Sequence, residues 1–126
     1  VKNINPKCEE SLGCHFTCDF TACAPNNYFD KSSVYIERLL TNAALAAGFD
    51  VLATAGHQFQ PQGVSGALVL GESHICWHTW PEKAAMSLDV YSCTPTAANE
   101  VKILNFIKFV EGLFLPKYNH ILVIYR

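Results

Sequence analysis

Residues 71–82 read GESHICWHTWPE and bring Glu72, Ser73, His74, Cys76 and His78 into one short stretch. A carboxylate, a hydroxyl, a thiol and two imidazoles so close together suit acyl transfer, proton transfer or metal binding. Strand-like alternation sends His74, Cys76, His78 and Trp80 to one face and Ser73, Ile75, Trp77 and Thr79 to the other. Neither face is cleanly apolar, so burial alone does not account for the pattern. A histidine in a strand is more often structural than catalytic, and a His pair four residues apart makes a metal site on a helix, not in a strand. Two alternatives stay open: a zinc set of His57, His74, His78 and Cys93, and a hydrolase pair of Cys93 with a histidine. Ser73 lies in no Gly-x-Ser-x-Gly elbow but at the start of a strand. Gly63, Ser65, Gly66 and Gly71 permit close or strained backbone around it.

The flanking segments supply the elements that must position these groups. From His15 the chain alternates, with Phe16, Cys18, Phe20 and Ala22 on one face of a half-buried strand. APNNYFDKSS follows as turn chemistry. Ile36, Leu40, Ala43 and Ala47 mark a helix from about Ser33 to Phe49, with Gly48 as its C-terminal cap. A looser alternation runs from Asp50 towards GVSG, and ALVL (67–70) is a strand leading into the motif. MSLDVYSC (86–93) alternates again, with Met86, Leu88 and Val90 opposite Ser87, Asp89, Tyr91 and Cys93. Thr94-Pro95-Thr96 starts a second helix with the stripe Ile103, Phe106, Ile107, Val110 and Phe114. HILVIY (120–125) reads as a last buried strand. The pattern predicts an α+β two-layer sandwich, a mostly antiparallel sheet with two helices packed on one face.

Of the 126 residues, half are hydrophobic and 16% are charged, and the formal net charge is −2. That composition suits one domain over residues 1–126, with 1–12 as an N-terminal tail and with apolar surface to spare for a partner subunit. With no Lys/Arg cluster and no membrane-length apolar run, neither nucleic acid nor a membrane is an expected partner. Six cysteines without CxxC spacing and without a signal peptide predict a cytoplasmic protein with reduced thiols; Cys8, Cys14, Cys18, Cys23 and Cys76 read as small apolar residues and no metal is expected.

HQFQPQGVSGALVLGESHICWHTWPE, followed by LDVYSC, resembles the core of the bacterial and archaeal S-adenosylmethionine decarboxylase proenzymes. LGCHFTCDF, with Gly13, His15 and Asp19, is similar to that family's opening strand. The resemblance implies self-cleavage between Glu72 and Ser73. Ser73 is the precursor of a covalent pyruvoyl cofactor that forms a Schiff base with the substrate amine. Ser65 assists processing, His78 is the processing base, and Cys93 is the proton donor, since a thiol can give and regain a proton near neutral pH. For S-adenosylmethionine, Phe59 and Trp80 offer aromatic faces to adenine and sulfonium, and Glu82 an acceptor for the ribose hydroxyls. The resemblance also implies a homodimer with active sites between protomers, and spermidine synthesis as the use of the product. Lys83, Ala84 and Ala85 stand where family members carry aromatic and glycine residues, and Thr94 stands where glycine follows the cysteine. Arginine or ornithine decarboxylation by the same pyruvoyl chemistry, or a non-catalytic regulatory paralogue, are the alternatives.

Overall fold

The computed structural model describes residues 2–3, 11–25 and 28–126. Of the expected tail, residues 1 and 4–10, Cys8 among them, lie outside the described residues, as do Asn26 and Asn27 of the expected turn. The elements are β1 (Lys2–Asn3), β2 (Cys14–Cys23), α1 (Ser33–Ala46), β3 (Val51–Gln58) and β4 (Val64–Leu70). β5 (Ser73–Trp80), β6 (Ala85–Ser92), α2 (Ala97–Phe114) and β7 (Pro116–Tyr125) complete the chain. The strands form one sheet in the order β1-β7-β2-β6-β5-β4-β3, antiparallel throughout except for the two-residue β1, which runs parallel to β7. The expected α+β sandwich is what forms.

Both helices start and stop where local chemistry says they should. Ser32 Oγ accepts the Tyr35 N–H ahead of α1, and Thr96 Oγ accepts the Asn99 N–H ahead of α2. At the end of α1 the Gly48 N–H donates to Leu45 O and the Phe49 N–H to Ala44 O, the paired bonds of a Schellman cap. Gly48 sits at φ 97, which a side chain would resist.

The helical stripes, Ile36, Leu40, Ala43 and Ala44 from α1 and Ile103, Phe106, Ile107, Val110 and Phe114 from α2, are buried against one face of the sheet. That face contributes Phe16, Cys18 and Phe20 from β2, Ile75 and Trp77 from β5, and Met86, Leu88 and Val90 from β6. In β2 the alternation slips at its last turn. Ala22 takes a left-handed φ of 50, so Cys23 and not Ala22 reaches the core. β7 is longer than expected, and Val123 is its one buried residue; among the described residues its outer neighbour β1 pairs with it at two positions.

β5 corrects the reading that neither of its faces is apolar. Ile75, Trp77 and Thr79 are all buried, and the Thr79 hydroxyl is satisfied there by the Val64 N–H at 3.0 Å. Gly66 across the hairpin makes room for Trp77, whose indole would overlap any Cβ at that position. The opposite face of the sheet, carrying His74, Cys76, His78 and Trp80, has no layer of the described residues over it.

Candidate active site

β4 ends at Leu70 and β5 begins at Ser73, so Gly71 and Glu72 form a two-residue hairpin connection. Neither residue has the positive φ that primed hairpin turns require. Nor does Gly71 need to be glycine for space, since a Cβ there would meet only ordinary contact with Asp50. The expectation of strained backbone at Gly71 is therefore not met. The turn is held from its sides instead. Gly71 N–H donates to Asp50 O at 3.0 Å, and the Glu72 carbonyl oxygen accepts the Cys93 N–H at 2.9 Å. The Glu72 carboxylate accepts from Thr94 Oγ1 at 3.0 Å and from Asn99 Nδ2 at 3.3 Å.

Ser73 is on the core side of the sheet, opposite Ser92 on β6, and its Oγ is buried with no hydrogen-bond partner. An unpaired buried hydroxyl is costly and uncommon. Here it lies next to a carbonyl already polarised by an amide donor. Cys93, one residue beyond β6, is exposed. Burial pushes the Cys18 thiol up to about 12, with Asp19 and Asp89 adding to the shift, and burial also raises Cys23 and Cys76. Those three are unsuited to thiolate chemistry at neutral pH.

A second group forms at the other end of β5, on the uncovered face. β4–β5 register sets Ser65 directly across from His78, and Ser65 Oγ lies 2.6 Å from His78 Nδ1. For Nε2 to accept a proton, Nδ1 must carry the hydrogen and donate it to Ser65 Oγ. Beside this pair a cleft of about 400 Å³ is lined by Phe59, the loop 60–63, Trp80 and Glu82. The loop is closed by the Phe59 N–H to Gly63 O at 2.9 Å, with Gly63 at φ 95. Gln58 Nε2 adds a bond to Gly63 O at 3.0 Å, while Gln58 Oε1 accepts from Ser33 N–H at the start of α1.

Ser73 and His78 are thus not brought together in one chain. Five steps along the strand separate them by about 17 Å, and an odd spacing puts them on opposite faces. Glu72, Ser73 and Cys93 form one group; Ser65, His78, Phe59, Trp80 and Glu82 form another. The zinc set of His57, His74, His78 and Cys93 is not assembled, and among the described residues no three His, Cys, Asp or Glu side chains gather as metal ligands.

Further residues contribute here: Asn99 was not singled out from the sequence, while His57, Thr94 and Ala84 were named there in other connections. His57 packs edge-on against the Phe59 ring at 4.6 Å and braces it; its place two residues before Phe59 was the available signal. Thr94 and Asn99 hold Glu72, and Asn99 reads from sequence only as a residue in the first turn of a helix. Ala84 takes a left-handed φ of 46 after the 3₁₀ turn Pro81–Lys83. The turn beside the cleft therefore keeps a conformation suited to glycine although alanine stands there, at a cost on the order of 1 kcal/mol.

A family model described as S-adenosylmethionine decarboxylase matches residues 14–126. A Thermococcus kodakarensis protein named S-adenosylmethionine decarboxylase proenzyme is 37% identical over 117 residues, 93% of this chain and 78% of that one. A Clostridium tetani protein of the same name is 41% identical over 83 residues, 66% of this chain; the match spans just under two thirds, 64%, of the relative's length. Among solved structures, the adenosylmethionine decarboxylase of Aquifex aeolicus superposes with a TM-score of 0.76 at 30% identity, covering 92% of this chain and 91% of that one.

Proposed function

The chain belongs to the S-adenosylmethionine decarboxylase family, and from that premise we propose that it is a self-cleaving enzyme that releases CO2 from S-adenosylmethionine. The observation that carries the reading is the Glu72–Ser73 junction, where an unpartnered buried hydroxyl follows a carbonyl held by the Cys93 N–H. Ser73 Oγ adds to the Glu72 carbonyl carbon, and the charge developing on oxygen falls on that amide donor. Breakage of the C–N bond then leaves an ester to Oγ and a free amine on residue 73. Removal of the Ser73 α-proton by His78 expels the Glu72 carboxylate by β-elimination, and water displaces ammonia from the dehydrated residue to leave a pyruvoyl group.

A pyruvoyl carbonyl beside an amide carbonyl supplies an electron sink for decarboxylating an amino acid. The position of residue 73 fits such a group, being enclosed on the core side and adjacent to the exposed Cys93 thiol. Cys93 returns a proton to the substrate carbon that loses CO2. Phe59 and Trp80 take the adenine and the sulfonium cation on aromatic faces, and Glu82 takes the ribose hydroxyls.

Because Ser73 and His78 face apart in one chain, the reading includes a homodimer in which one copy lends Ser65 and His78 to the Ser73 of the other. It also includes a cytoplasmic location, where thiols such as Cys93 stay reduced. Among the described residues no helix is long and apolar enough to cross a membrane. The names of the relatives favour S-adenosylmethionine over arginine or ornithine.

Two measurements test the reading. Intact mass should give fragments 1–72 and 73–126, the second lighter by one ammonia than a fragment beginning with serine. A serine start defeats the pyruvoyl proposal. The processed enzyme should release CO2 from S-adenosylmethionine, and Phe59→Ala should cost about 1–3 kcal/mol in kcat/KM through lost base stacking. Turnover of arginine or ornithine with none of S-adenosylmethionine overturns the substrate.

A further inference from the structure

We infer that Thr94 and Asn99 are positioning residues for self-cleavage, clamping the Glu72 carboxylate so that the scissile carbonyl stays against the Cys93 N–H. The inference rests on the self-cleavage reading above. Glu72 is gripped at both ends by one short segment. Its carbonyl oxygen takes the Cys93 N–H at 2.9 Å. Its carboxylate takes the Thr94 hydroxyl at 3.0 Å and the Asn99 amide at 3.3 Å. Three donors between residues 93 and 99 thus fix a residue whose next peptide bond is to be attacked.

The segment is itself stiff. Asn99 Nδ2 also donates to Thr94 O at 3.0 Å, and the Thr94 N–H donates to Ser92 Oγ at 3.3 Å. Asn99 is only 8% exposed, so its amide is not a surface group that happens to reach Glu72. The start of α2 adds the positive end of its dipole beside the same carboxylate. Both α2 and β6 have supports other than these two bonds. α2 already has its Thr96 cap, and β6 is set by register with β2 and β5. What they add is geometry. A two-residue turn without primed φ values does not match the twist of its flanking strands, and anchoring the side chain restrains the rotation that would swing the carbonyl off its donor.

The test follows cleavage of freshly translated chains by gel and intact mass across a pH series, each variant against wild type at the same pH. Asn99→Asp replaces a donor by a second carboxylate and should slow cleavage about tenfold or more at alkaline pH, as loss of a bond to a charged group does. The deficit should shrink at acid pH, where one of the two facing carboxyls takes a proton and donates to the other. Thr94→Val should slow cleavage about threefold, and Thr94→Ser should restore it. Asn99→Asp matching wild type at every pH, or slowed equally at every pH, overturns the clamp, and so does Thr94→Ser slowed as much as Thr94→Val. A wild-type chain that never cleaves overturns the reading beneath it instead, which separates the two failures. The Thr94 series decides the matter if Asn99→Asp does not fold.

Discussion

A Ser73→Ala chain mixed with a His78→Ala chain will recover the cleavage and turnover that neither shows alone. Each variant lacks one half of the chemistry, the nucleophile in the first and the base in the second. Within one chain those halves lie at opposite ends and on opposite faces of β5. In a mixed dimer the His78→Ala chain keeps its own Ser73 and receives an intact Ser65–His78 pair from its neighbour. That chain should be cut, and the Ser73→Ala chain should stay whole. Turnover should reach about a quarter of wild type, because random pairing makes half the dimers mixed and each holds one complete site. Co-refolded chains carrying different tags, read by gel, native mass and CO2 release, give the answer. Pyruvoyl formation in the His78→Ala chain on its own, or none in verified mixed dimers, defeats the shared site.

Cys93→Ala is expected to separate maturation from turnover. What holds the Glu72 carbonyl is the backbone N–H of residue 93, and alanine keeps it. Cleavage should therefore go to completion. The thiol is a different matter. It is exposed beside the cleavage point, and loss of a positioned proton donor typically costs 10²- to 10⁴-fold, so kcat per pyruvoyl group should fall by at least about a hundredfold. Single-turnover CO2 release alongside intact mass reads both quantities from one preparation. Full turnover in Cys93→Ala would move the proton donor to another residue.

Much of the fold was legible because burial imposes a period. Phe16, Cys18 and Phe20 alternate, the α2 stripe recurs at three and four, and both assignments held. What broke the period was not legible. Ala22 adopts a left-handed turn that nothing in its type announces. β3 is an edge strand whose small residues Ala53, Ala55 and Gly56 are exposed, so no hydrophobic signal marks it. The residues proposed for the site were named through the family resemblance, and strand alternation already set Ser73 and His78 on opposite faces; the burial of the Ser73 face was what the sequence obscured. Ser73 and Thr79 made the core face of β5 look polar. Only the Val64 N–H on Thr79 Oγ1 explains how that face tolerates burial. Asn99 was hidden for a similar reason, its place in the first turn of α2 masking a side chain aimed at Glu72.

The odd spacing from Ser73 to His78 carries a consequence for the life of the newly made chain. If Ser73 and His78 are the nucleophile and base proposed above, a chain in which they face away from each other has no unimolecular route to its own pyruvoyl group. In dilute solution the rate of maturation then rises with the square of chain concentration, and it becomes first order only once pairing is complete. On that proposal the pyruvoyl group is a record of an encounter: a lone copy makes no electrophile, and one is created only where a second copy already encloses it.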